Sequence, residues 1–121
     1  MYSKILMATD GSPTAAKAVE RGAALARDTG ASLILLYVGT NDDGNPILEQ
    51  TKERLDGLDV DTRALPGDPA DVICRVAESE GVDLIVVGNK GMADIKRFIL
   101  GNVPNQVSHH APCNVLIVKT T

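Results

Sequence analysis

Two unbroken apolar runs, Leu33-Ile34-Leu35-Leu36 and Leu84-Ile85-Val86-Val87, constrain this chain more than any other feature. A strand with one wet face alternates apolar and polar residues. A run without alternation fits a strand covered on both sides, as in a parallel sheet between layers of helices. A third run, Lys4-Ile5-Leu6-Met7-Ala8-Thr9, leads into Asp10-Gly11-Ser12-Pro13. There Ser12 as N-cap and Pro13 at the first helical position open a helix. It is expected to run to about Asp28 and stop at Gly30, with Ala15, Ala18, Val19, Gly22, Ala23 and Ala26 turned inward.

The same punctuation organises the rest. Ser32 to Val38 reads as the second strand, and Gly39 to Gly44 as a polar, turn-rich connection. Asn45-Pro46 then opens a short helix with Ile47, Leu48, Thr51 and Leu55 on one side. Asp59 to Leu65 alternates and reads as a less buried, edge-type strand. Asp68-Pro69 repeats the cap-plus-proline signature ahead of the stripe Val72, Ile73, Val76, Ala77, which ends at Gly81. Val82 to Val87 is the fourth strand, Val103 onward the first turns of a helix, and Asn114 to Val118 the fifth strand. Strands alternating with helices imply right-handed crossovers and an α/β fold: a doubly wound, open, mostly parallel sheet with helices on both faces. Ligands in such sheets bind beyond the C-terminal strand ends, where the strand order reverses. Periodicity leaves that order open.

At 121 residues the chain is expected to form one domain, residues 1–121, with a core that needs no disulfide or metal. Tyr2, Tyr37 and Phe98 are its only aromatic residues, so stacking platforms for single-stranded nucleic acid are nearly excluded. The net charge of −4 also disfavours nucleic-acid backbones. Residues 1–87 hold eight basic and fifteen acidic side chains, whereas residues 88–121 hold Lys90, Lys96, Arg97 and Lys119 against Asp94 alone. Cys74 and Cys113 have no metal-ligand or CxxC spacing and read as two small buried thiols in a reducing compartment. No apolar run approaches the ~18 residues of a membrane span, and Met1-Tyr2-Ser3-Lys4 leads straight into a strand. A cytoplasmic protein without membrane contact is expected.

The basic stretch coincides with a glycine motif. Gly88-Asn89-Lys90-Gly91 follows the fourth strand, and nine positions later Gly101-Asn102 precedes a helix. Glycines at a strand exit and a helix start let backbone lie against a ligand with no Cβ in the way. The helix start adds unpaired N–H groups and the positive end of a dipole, a combination that favours an anion. The pattern reads as a phosphate-binding loop, against the plainer reading of glycines that only serve turns. Lys90 either steers phosphate or is solvated. Asp10 either contacts ligand or only forms a turn. His109 and His110 have no third ligand in view and fit a helix C-terminus, and Ser12 is explained as a cap.

Asp83 to Val118 resembles the universal stress protein family, in particular its ATP-binding branch, which carries G-x2-G-x9-G-(S/T) after the fourth strand. The matching residues are Gly88, Gly91 and Gly101, followed by His109-His110-Ala111-Pro112-Cys113-Asn114-Val115-Leu116-Ile117-Val118, with Asp10-Gly11-Ser12 matching the family's opening "D-G-S". The resemblance covers nearly the whole chain, although residues 40–58 are shorter than the family norm, and Asn102 stands where the family has Ser or Thr. It implies a Rossmann-like sheet of order 3-2-1-4-5, of the adenine nucleotide alpha hydrolase-like type, and a homodimer paired through the fifth strands. It also implies ATP (or ADP or AMP) as ligand, with Mg²⁺ or Mn²⁺ accompanying a triphosphate.

Carried onto this chain, Asp10, flanked by Ala8 and Thr9, would hold the adenosine end, and the backbone of Val38 would meet adenine. Val87, Gly88, Lys90, Gly91, Gly101, Asn102 and Val103 would surround ribose and phosphates. No general base or carboxylate pair stands near the phosphates, so a nucleotide-dependent switch with an unidentified protein partner is expected rather than a fast catalyst. Rival readings are a dimeric interaction module that has lost nucleotide, a phospho-accepting receiver-like domain, and a nucleotide-using transferase. The second lacks the required neighbouring acids, and 121 residues leave the third little room for a substrate pocket.

Overall fold

The apolar runs become the middle of one sheet. The computed structural model describes residues 1–89 and 102–120. Its strands are β1 (Lys4–Ala8), β2 (Ser32–Val38), β3 (Val60–Leu65), β4 (Leu84–Gly88) and β5 (Asn114–Val118). The helices are α1 (Pro13–Thr29), α2 (Asn41–Glu53), α3 (Pro69–Glu80) and α4 (Asn102–His110). All neighbouring strands pair in parallel in the order β3-β2-β1-β4-β5, as the resemblance implied.

Side chains along a strand alternate between faces, and here both faces are covered. Ile5, Met7, Leu33, Leu35, Leu84 and Val86 pack with the small inward residues of α1 and with Leu48 of α2. Leu6, Ile34, Leu36, Ile85 and Val87 pack on the other side with Ile73 and Val76 of α3 and Val107 of α4. The small inward residues of α1 let it approach closely: a Cβ on Gly22 would collide with Met7. α1 starts at its Ser12 cap, whose hydroxyl accepts from Ala15 N–H (3.1 Å), and ends where Gly30 turns left-handed at φ 77°. Asp68 caps α3 through Asp71 N–H at 3.1 Å.

Most boundaries lie within about two residues of expectation, and one differs by more. α2 begins at Asn41, not at Asn45-Pro46, because Thr40 caps it by accepting from Asp43 N–H at 3.2 Å. Asp42 and Asp43 in its first turn favour the positive end of its dipole. Gly44 is buried under Tyr37, so it serves close packing instead of a turn. Pro46 is thereby placed inside the helix, where its ring leaves the Asp42 carbonyl without the usual amide partner.

The two sheet edges differ in character. On β3, Arg63 bridges Asp61 (2.8 Å) and Glu80 of α3 (3.1 Å), so that edge carries charge. On β5, Ile117 is 40% exposed. At the N-terminal ends of the strands, Asp83 accepts from Ser3 N–H (2.9 Å) and Lys4 N–H (3.0 Å), fastening β1 to β4.

Candidate functional site

The sheet reverses direction between β1 and β4: β2 and β3 follow on one side of β1, and β5 lies on the far side of β4. The crevice at the C-terminal ends of these two strands is where such a sheet accepts ligands. The register fixes which residues meet there. Met7 pairs with Val86, so Thr9 and Gly88 lie level two residues later. Ala8 pairs with Leu36, so Asp10 lies level with Val38. Ala8, Thr9, Asp10, Val38, Val87 and Gly88 therefore converge on one edge of the sheet.

Val103, in the first turn of α4, is buried in the same cluster as Ala8, Leu36 and Val87, which holds the start of α4 beside that edge. Lys90, Gly91 and Gly101 lie outside the described residues, as does the side chain of Asn102.

Local chemistry separates the N-termini of the four described helices. The N-terminus of α1 offers little: Pro13 has no N–H, Ala15 N–H is taken by Ser12 Oγ (3.1 Å), and in the turn before it Gly11 N–H donates to Thr9 Oγ1 (3.1 Å) and Ser12 N–H to Asp10 Oδ1 (2.9 Å). At α2 and α3 the first turns carry Asp42, Asp43 and Asp71, which repel an anion. α4 has no acid in its first turn. The N–H groups of Asn102 and Val103 come too early in the helix to have intrahelical acceptors. An anion near this edge is thus best received at α4.

Asp10 has both roles weighed from sequence within reach. One carboxylate oxygen shapes the turn through Ser12, and the residue stays half-buried at the crevice. Its turn is cramped: Gly11 has φ 82°, and a Cβ there would lie 3.1 Å from Ile47 of α2. That contact joins positions 36 apart in the chain and has no sequence signature. Thr9 is buried; its N–H donates to Leu36 O (2.9 Å) and its hydroxyl oxygen accepts from Gly11 N–H (3.1 Å), so both help shape the strand exit. A groove of about 620 Å³ between α1 and α2 touches the same turn through Thr9, Gly11 and Ser12. Asp10, Val38 and Gly88 do not line it.

His109 and His110 are exposed in the last turn of α4. Among the described residues no group of three or more His, Cys, Asp or Glu side chains is placed to hold a metal. No described helix is long and apolar enough to cross a membrane.

A doubly wound α/β sheet with Gly88 at its switch point defines the class of open-sheet α/β proteins whose ligands bind beyond the strand ends. The model of the universal stress protein family matches residues 1–46 and 40–119, and the chain belongs to that family. Universal stress protein YxiE of Bacillus subtilis is 33% identical over an alignment of 148 residues, spanning 98% of this chain and 100% of the relative. A crystal structure of a universal stress protein in complex with cAMP superposes with a TM-score of 0.87 at 32% identity, covering 99% of this chain and 98% of the other. Protein Rv1636 from Mycobacterium tuberculosis H37Rv superposes with a TM-score of 0.69 at 38% identity, covering 99% and 97%.

The YxiE alignment is longer than the 121 residues of this chain, and the two parts of the family match meet at residues 40–46. The shortening expected for residues 40–58 thus falls where β2 passes into α2.

Proposed function

We propose that this chain is an adenine-nucleotide-binding regulatory protein, with ATP, ADP or AMP held at the β1/β4 crevice. The observation that carries the reading is the register, which sets Thr9 and Asp10 level with Gly88 and Val38 beside the acid-free N-terminus of α4. The cAMP complex of a relative 32% identical supports a ligand of this chemistry. Asp10 and the backbone at Val38 would take the adenosine end, and Gly88, Lys90, Gly91, Gly101, Asn102 and Val103 the ribose and phosphates. Mg²⁺ or Mn²⁺ would travel with a triphosphate, held mainly by its oxygens. The protein would work in the cytoplasm as a homodimer through β5, as a stress-response switch read by a protein partner and not as a fast hydrolase.

Thermal-shift titration with ATP, ADP and AMP tests this. Saturation at about 100 times Kd adds about 2.7 kcal/mol, which raises the melting temperature of a domain this size by roughly 10 °C. A flat response to all three at millimolar concentration refutes nucleotide binding and leaves the dimeric interaction module in its place.

A further inference from the structure

Thr120 is 3% exposed, an unusual depth for a polar residue beyond the last strand. A hydroxyl and a peptide unit are buried only where their hydrogen bonds are made, and here each has a partner. Thr120 N–H and Oγ1–H both donate to Asn89 Oδ1, at 2.9 and 2.8 Å, and Lys17 Nζ of α1 donates to the Thr120 carbonyl at 3.2 Å. Asn89 is the residue after β4, and its own N–H donates to Val118 O at 2.9 Å. The regular β4–β5 register ends at Gly88↔Val118. The Asn89 side chain therefore prolongs the pairing by one further step. Two donors on one atom identify that atom as the amide oxygen and fix the plane of the side chain.

We infer that Asn89, Thr120 and Lys17 form a clasp that sets the direction in which the chain leaves β4, making Asn89 and Thr120 positioning residues for the crevice at Gly88. This rests on the proposed function only in assigning that crevice to a nucleotide. The physical reason is geometric. Gly88 is the last residue of the β4–β5 ladder and lacks a side chain that would restrict its backbone, so the exit from the strand is set by what holds Asn89. The clasp supplies that hold from β5 and from α1 together. Binding sites lose affinity when their supporting contacts loosen, even where no ligand contact is removed.

The test compares Thr120→Val, which deletes the donated hydroxyl hydrogen bond at nearly constant volume, with Thr120→Ser, which keeps it. Amide hydrogen exchange at Asn89 and residue 120 is measured without ligand, and ATP affinity by calorimetry. One hydrogen bond lost from the clasp predicts exchange and ATP Kd each increased about fivefold in Thr120→Val, with Thr120→Ser at wild-type values. Unchanged exchange in Thr120→Val overturns the clasp, whatever ATP does. Faster exchange with unchanged ATP Kd overturns its role at the crevice and leaves nucleotide binding intact. Wild-type protein that takes up none of ATP, ADP and AMP refutes the proposed function itself, while the exchange data still decide whether the clasp holds Asn89.

Discussion

Replacing Gly11 with Ala probes the turn on which the candidate site depends. At φ 82° an L side chain meets the following carbonyl, which costs about 1–2 kcal/mol. The added methyl carbon would lie 3.1–3.2 Å from three atoms of Ile47, closer than carbon atoms rest comfortably. Ile47 is only half-buried and can yield a little, so this overpacking adds about 1 kcal/mol. Against both stands the reduced freedom of Ala in the unfolded chain, which returns about 0.5–1 kcal/mol. The balance is a loss of about 1–2 kcal/mol, or a melting temperature lower by roughly 5 °C.

Urea denaturation at constant m-value measures the loss, and an Ile47→Ala background separates its parts. There the steric component disappears, and a residual of about 1 kcal/mol from backbone geometry remains. A Gly11→Ala protein as stable as wild type refutes the argument from φ. A loss of the same size in both backgrounds refutes the argument from Ile47.

Two further outcomes follow from titrating groups. Burial alone would raise the Asp83 carboxyl, but hydrogen bonds from Ser3 N–H, Lys4 N–H and the Ser3 hydroxyl outweigh it and hold the group below the ordinary carboxylate range. A folded pKa below the unfolded one gives stability that is fully present above about pH 4 and lost as pH falls through the folded value. Asp83→Asn therefore shows a smaller acid-side loss of stability than wild type in denaturation series from pH 6 to pH 2, and identical slopes would refute the assignment. Burial, and then Asp71, raises the Cys74 thiol; burial, Asp83 and Cys74 raise that of Cys113. Both thiols are thus less ionised than free cysteine at pH 8, and iodoacetamide labels them several-fold more slowly in the native than in the urea-unfolded protein; equal rates would refute this.

Much of the fold was legible because local signals agreed with one another. Ser12-Pro13 and Asp68-Pro69 each combine a capping oxygen with a residue that needs no N–H partner, and both open helices. The alternation of Asp59 to Leu65 marked β3 as an edge, since the covered strands show none. α2 was misplaced because Gly39 to Gly44 has the composition of a loop. The Thr40 cap and the acids behind it are a local start signal that the flanking glycines and proline obscure, whereas the close packing of Gly44 under Tyr37 is a tertiary contact that no local pattern exposes.

Strand order came from the family resemblance and not from periodicity, which carries no information about neighbours across a sheet. The site was legible to the same extent. Asp10 and Gly88 stand out as residues, but their meeting at one edge follows only from the pairing of β1 with β4, which sets Thr9 level with Gly88. The bond between Asn89 and Thr120 joins positions 31 apart in the chain and has no sequence signature.

The unequal sheet edges bear on how copies of this protein can add to one another. Among the described residues, Arg63 and its two acidic partners make the β3 side a poor place for another strand to dock, whereas the exposed Ile117 leaves the β5 side more receptive. A particle with a single receptive rim consumes it on meeting its twin and presents none to a third. On the proposed pairing through β5, growth by strand addition would stop at a pair, and the sheet would lengthen without becoming a fibre.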